Sequence, residues 1–135
     1  MREKLGWQGL LMDGNNNIPA INLHREIILY SNVTALFEKY GVDKNVDIFS
    51  EDTDYADYWI VKQVLKSYRP KLIIHEVNQK PPEICVTVTK PGINELIQWD
   101  LTEYHGGSVC AFYCLAKSNG YTMAGYFHIN FIKII

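Results

Sequence analysis

The 135-residue chain carries 13 basic and 15 acidic residues, a formal net charge of −2, with 47% hydrophobic and 21% charged residues; that is the composition of one globular domain with a single core. No run of either sign stands out, which argues against a nucleic-acid footprint or a polybasic membrane patch. The longest apolar runs, such as Ile27-Ile28-Leu29 and Lys71-Leu72-Ile73-Ile74, fall far short of the about 20 apolar residues that a membrane-spanning helix needs. Cys85, Cys110 and Cys114 are odd in number and match no disulfide scaffold. With no charged-then-apolar leader read at the start, they are expected to be free thiols in a reducing, cytoplasmic compartment.

In chain order, Gly9-Leu10-Leu11-Met12 reads as a short buried strand closed by the turn-forming Asp13-Gly14-Asn15-Asn16-Asn17. Glu26 to Tyr30 is a second strand candidate. Ser31 is placed to cap a helix with the apolar stripe Val33, Leu36, Phe37 and Tyr40, and Gly41 stands where a left-handed terminal residue is wanted. Val46 to Ser50 is the next strand, running into the acidic tract Glu51-Asp52-Thr53-Asp54. A helix is expected from about Tyr55 to Ser67, stopped by Arg69-Pro70 because proline disfavours helical geometry in the residue before it.

Lys71 to Glu76 is then a buried strand, and Ile84 to Val88 alternates like an edge strand. Ser108 to Lys117 reads as a helix ended by Asn119-Gly120, and Tyr121 to Ala124 and Ile129 to Ile135 are two closing strands. Strands alternating with helices predict an α/β fold with a mostly parallel, doubly wound sheet, in one domain spanning residues 1–135.

In open parallel sheets ligands bind beyond the carboxyl ends of the strands, so the residues that close each strand carry the candidate chemistry. Asp13 closes the first strand; its carboxylate could accept from the vicinal hydroxyls of a ribose, or simply bond its own backbone in the Asp-Gly turn. Asp54 suits a helix N-cap, and Asp57 the positive first turn. Capping does not explain Asp52, which is therefore the better functional candidate. If the third and fourth strands are neighbours, Asp52, Glu76 and Asn78 converge as oxygen ligands of the kind magnesium takes, the ordinary alternative being polar groups satisfied by backbone donors.

Cys110 and Cys114, four apart with His105 upstream, could ligate a metal but are more ordinarily small core residues. His75 sits in an apolar strand where a neutral ring bonded to backbone is expected. Trp7, Trp59 and Trp99 are expected in the core, and Gly106-Gly107 ahead of a helix is a faint anion-site signal.

Taken together, Gly6-Trp7-Gln8-Gly9-Leu10-Leu11-Met12-Asp13-Gly14 and Ser50-Glu51-Asp52-Thr53-Asp54-Tyr55-Ala56-Asp57-Tyr58-Trp59 resemble the FkbM-like methyltransferases. In those proteins a strand closes in Ser-Ile-Asp-Ile-Asp before an Asp-Tyr-Trp or Asp-Leu-Trp helix start. Arg69-Pro70-Lys71-Leu72-Ile73-Ile74-His75-Glu76-Val77-Asn78 is similar to their Arg-Pro strand closing in Glu-Tyr-Asn. Tyr104-His105-Gly106-Gly107-Ser108, then Leu115-Ala116 and Gly120-Tyr121, is similar to their Gly-Ala-Ser helix ending in Gly-Tyr. The resemblance covers roughly residues 5 to 125.

It implies a class I, Rossmann-like methyltransferase fold using S-adenosylmethionine, with Asp13 and Gly14 at the cofactor ribose. Asp54, Asp57 and Asn78 would lie near adenine or substrate, and Asp52 or Glu76 would be the base that takes a proton from a hydroxyl of a small molecule or sugar. The family's first strand and glycine-rich turn should precede Gly6, so the expectation is an N-terminally truncated domain whose sheet a second copy or a partner chain could complete. Glu51 and Thr53 replace apolar residues of the family pattern. Two other readings fit the same residues. One is a catalytically inert remnant of this fold that serves as a protein-binding scaffold; the other is a divalent-metal-dependent hydrolase built on Asp52 and Glu76.

Overall fold

The computed structural model describes residues 2–78, 84–87, 106–127 and 130–134. A short helix α1 (Arg2–Leu5) precedes β1 (Leu11–Asp13), a 3-10 turn at Pro19–Ile21 and β2 (Leu23–Arg25). Then follow α2 (Val33–Lys39), β3 (Ile48–Glu51), α3 (Asp57–Val64), β4 (Leu72–Glu76), α4 (Val109–Ser118), β5 (Thr122–Phe127) and β6 (Asn130–Ile134). The strands form two sheets: a parallel pair β1-β2, and a four-stranded sheet in the order β3-β4-β6-β5. In the larger sheet β3 and β4 are parallel, whereas β6 runs antiparallel to both β4 and β5. The sheet is therefore mixed, with its parallel part at the β3 side.

The first two strands depart from expectation. β1 is half exposed rather than buried, and the second strand is Leu23–Arg25, ahead of the expected Glu26 to Tyr30. Side chains explain the shift. Asn32 donates from Nδ2 to the Ile27 carbonyl at 2.9 Å and accepts the Leu29 N–H at 2.8 Å, so backbone groups that a ladder would use are already satisfied. Glu26 is held by Lys39 Nζ at 2.5 Å and by the Tyr40 hydroxyl at 2.6 Å, which fastens this segment to α2.

The helices follow their apolar stripes. α2 buries Val33, Leu36 and Phe37 and ends at Gly41, whose φ of 66° is the left-handed conformation that glycine adopts without strain. Its N-cap position is Asn32 rather than Ser31. α3 is shorter than expected, because residues 65–67 continue only as turn, but it buries Ile60, Val61 and Val64. α4 begins with Ser108, whose Oγ accepts the Ala111 N–H, and ends at Asn119 before Gly120. Residues 84–87 touch the body through an isolated bridge, Thr87 to Gly107, and not as a strand; Val88 lies outside the described residues.

One core joins these elements. Phe37 from α2 meets Phe49 of β3 and Tyr68 edge-on at 5.6 and 5.1 Å, and Ile60, Val64, Ile73, Val77, Phe112 and Leu115 complete it. Met12, Ile28 and Tyr30 pack on its flank, so the small β1-β2 sheet leans on the same core. Trp7, expected inside, is exposed, Trp59 is half-buried, and Trp99 lies outside the described residues. No helix among the described residues is long and apolar enough to cross a membrane.

Phe112 has no exposed surface; it stacks on His75 at 3.8 Å and meets Tyr58 at 5.5 Å, tying α4 to β4 and α3. Phe112→Ala should lower the unfolding free energy by about 3–5 kcal/mol, read as a shift in urea midpoint at unchanged slope. A loss below about 1 kcal/mol would mean that α4 does not pack on the sheet as described.

Candidate functional site

The register of β3 with β4 decides where the acids emerge. Glu51 pairs with His75 across the parallel ladder, so the two strands end level with each other, and Asp52 and Glu76 leave the sheet side by side. Successive strand residues point to opposite faces. On β3 this puts Phe49 and Glu51 inward and Ser50 outward, and on β4 it buries Ile73 and His75.

Glu51 is thus a buried carboxyl. Its Oε1 accepts from Thr53 Oγ1 at 2.8 Å, and its carboxyl is hydrogen-bonded to the Asp57 carboxyl, an interaction that needs a proton on one of the two. Burial, and then the neighbouring Asp57 carboxylate, push Glu51 well above the usual carboxyl range. The alternation that buries Phe49 was the available sequence signal for it.

Asp57 opens α3 and is 1% exposed. Its Oδ1 accepts the Thr53 N–H at 2.9 Å, fixing the acidic loop against the helix start, and its Oδ2 is buried. Gly106 lies beside this oxygen, where a Cβ would stand at ordinary contact distance, 3.5 Å from Asp57 Oδ2. Gly107 is tighter, since a Cβ would meet Phe112 at 3.2 Å and Tyr58 at 3.3 Å. Close packing of this segment on α3 thus favours glycine at 107, while at 106 it is the left-handed φ of 53° that favours glycine.

Asp54 is not the helix cap expected of it. The cap position is Ala56, and Asp54 sits in the left-handed region at φ 65° on the exposed loop, a conformation that aspartate tolerates better than most residues. This turn brings it back towards the strand ends. Asp52, Asp54 and Glu76 each place a carboxylate oxygen within 4.8 Å of the other two.

Crowding shows in their protonation. Glu76 is raised to about 7 by partial burial and then by Asp57, Asp52 and Asp54; Asp52 is raised by burial and then by Asp57 and Asp54. The ion pairs among the described residues, Lys39–Glu26, Lys44–Glu38 and Lys71–Asp47, leave this cluster without a countercharge. Such a group can hold a proton, or offer three oxygen ligands to a hard cation.

The other candidates lie apart or are otherwise engaged. Asn78 is buried just beyond β4, its N–H donating to the Gly107 carbonyl at 2.9 Å. His75 has its Nδ1–H on the Glu76 carbonyl at 2.9 Å, as its apolar strand predicts. Asp13 closes β1 in the small sheet; its Oδ1 accepts the N–H groups of Asn15 and Asn16, both at 2.7 Å, and Asn16 Nδ2 at 3.0 Å. These bonds lower its protonation tendency and define an Asx turn of which Gly14 is the exposed second residue. A shallow pocket of about 180 Å³ lined by Tyr30, Trp59, Lys62, Gln63 and Lys66 contains none of these acids and is smaller than ordinary ligand sites.

No family model matches the chain, and neither a curated protein nor a solved structure does. The FkbM-like resemblance therefore rests on its motifs alone.

A carboxyl whose folded-state pKa lies above its unfolded value favours folding when protonated and costs stability once it must ionise. With Glu51, Asp52 and Glu76 all raised, stability should fall as pH rises from the ordinary carboxyl range, about 4.5 for glutamate, through about 7. Urea midpoints should be higher near about pH 5 than near about pH 8, and Glu76→Gln should flatten the upper part of that fall. A flat profile in the parent chain would show that the acids are not crowded as described.

Proposed function

We propose that the carboxyl end of the β3-β4 pair is a small-molecule site at which Glu76 takes a proton from a substrate hydroxyl, in a class I methyltransferase-like domain that O-methylates a small molecule or sugar. The observation that carries this reading is Glu76, half-buried at a parallel strand end and raised to about 7, where a carboxyl is basic enough to take a proton near neutrality while a substantial share of it is still ionised. Asp52 and Asp54 flank it and supply acceptors that would orient neighbouring hydroxyls.

The resemblance names S-adenosylmethionine, which would supply an electrophilic methyl group. Asp13 fits its ribose in part: Oδ1 is engaged by the turn, which leaves Oδ2 for one hydroxyl on an exposed strand end. The chain's own contribution is to hold a hydroxyl in line and to move its proton to Glu76 Oε. In this reading the chain works in the cytoplasm, and a second copy or a partner chain extends the four-stranded sheet at β3, which among the described residues pairs with β4 alone.

The proximity of Asp52, Asp54 and Glu76 favours a second reading, a divalent-metal-dependent hydrolase in which the three carboxylates bind a hard cation.

Isothermal titration with S-adenosylhomocysteine separates the two. Saturable binding that Asp13→Ala weakens, together with transfer activity rising with pH through about 7 and abolished by Glu76→Gln, supports methyl transfer. No binding of that ligand, with saturable manganese binding lost in Asp52→Asn, would favour the metal-dependent reading. Neither would leave the inert scaffold.

A further inference from the structure

Outside the acidic site, the loop 84–87 and the start of α4 bring the chain's three cysteines together. Contrary to the expectation of free thiols, Cys85 and Cys110 are disulfide-bonded, with Cα atoms 4.8 Å apart across a sequence separation of 25. Cys114 is free and exposed. It follows Cys110 by four residues and so shares its face of α4. The three Sγ atoms all lie within 4.8 Å of one another.

The backbone holds Cys85 in place independently of the bridge. Val86 N–H donates to Ser108 Oγ at 3.1 Å, Ser108 N–H donates to the Val86 carbonyl at 2.9 Å, and Thr87 bridges to Gly107. Opening the disulfide therefore leaves three thiols facing one point rather than dispersing them.

We propose that Cys85, Cys110 and Cys114 form a redox-gated site for one zinc-class cation, bound by the reduced chain and released when the Cys85–Cys110 bridge closes. Thiolates are the soft ligands that such ions select. With Zn–S bonds of about 2.3 Å, two sulfurs on a tetrahedral ion stand about 3.8 Å apart. An upper limit of 4.8 Å between the sulfurs is within side-chain adjustment of that spacing. Three protein sulfurs leave the fourth position for water.

The redox step balances without any group beyond a small disulfide. Two thiolates, of Cys85 and Cys110, give two electrons to a low-molecular-weight disulfide; an S–S bond forms between them while the oxidant's S–S bond breaks. The oxidant takes two protons from water and leaves as two thiols, and the ion, left with Cys114 as its one sulfur ligand, departs. Gating would reach the acids through the same segment, because Gly106 N–H donates to the Tyr55 carbonyl at 2.9 Å and Gly107 accepts from Asn78.

Cadmium, followed by its thiolate charge-transfer absorption in the near ultraviolet, and zinc, followed by competition with a chromophoric chelator, read the site directly. The reduced chain should bind one ion, and the oxidised chain none. Cys114→Ser keeps the bridge, so its oxidised fold can be checked by circular dichroism. In reduced form this variant should bind at least about tenfold more weakly, no less than the loss that removal of a supporting contact causes. Should reduction unfold the chain, recovery of the native circular dichroism on adding zinc would support the site, and failure to recover would overturn it. Absence of charge transfer in a folded reduced chain, equal binding by the oxidised chain, or unchanged binding by Cys114→Ser would each reduce the cysteines to a structural staple.

Discussion

The parallel register of β3 with β4 is the constraint on which the rest depends. Pairing Ile48 with Leu72 and Glu51 with His75 sets both strands to end at one level. A slip by one residue would exchange the buried and exposed faces of β3, sending Glu51 to solvent and Ser50 inward. The same register fixes Phe49 beneath Phe37 and Ile73 in the core. Packing of the core and crowding of the acids are thus two results of one ladder.

Crowded carboxyls are an unusual thing for a strand end to accumulate, since each raises the cost of ionising the next. Glu51 and Asp57 are the costly members, because both are buried against each other as two carboxyls. Thr53 offsets part of the cost by donating to both through its hydroxyl and its N–H. Apolar residues at these positions would serve stability better.

Segment 106–108 connects this end of the sheet to the cysteines. Glycine at 106 and 107 lets the backbone lie against Asp57, Tyr58 and Phe112, and Ser108 caps α4 while binding Val86. One short stretch therefore carries the acids' neighbour, the helix start and the anchor of Cys85. A change in the cysteines has only this stretch to cross before it reaches Asp57.

Local features were legible in the sequence where a single element decides them. The stripe of α2 with Gly41, the serine cap and Asn119-Gly120 end of α4, and the apolar β4 are each set by spacing within a few residues, and backbone preferences act at that range. Asp52 and Glu76 could be singled out as strand-closing acids for the same reason. Tertiary structure alone decided what depends on partners distant in the chain. It placed β2 at Leu23–Arg25 because Asn32 and Glu26 hold the following residues to α2. It turned Asp54 into the left-handed region beside Glu76, inserted β6 antiparallel between β4 and β5, and joined Cys85 to Cys110. Periodicity reports which face of an element is apolar; which other element covers that face, and in what register, is settled only when non-local pairings compete for the same backbone groups and the same core.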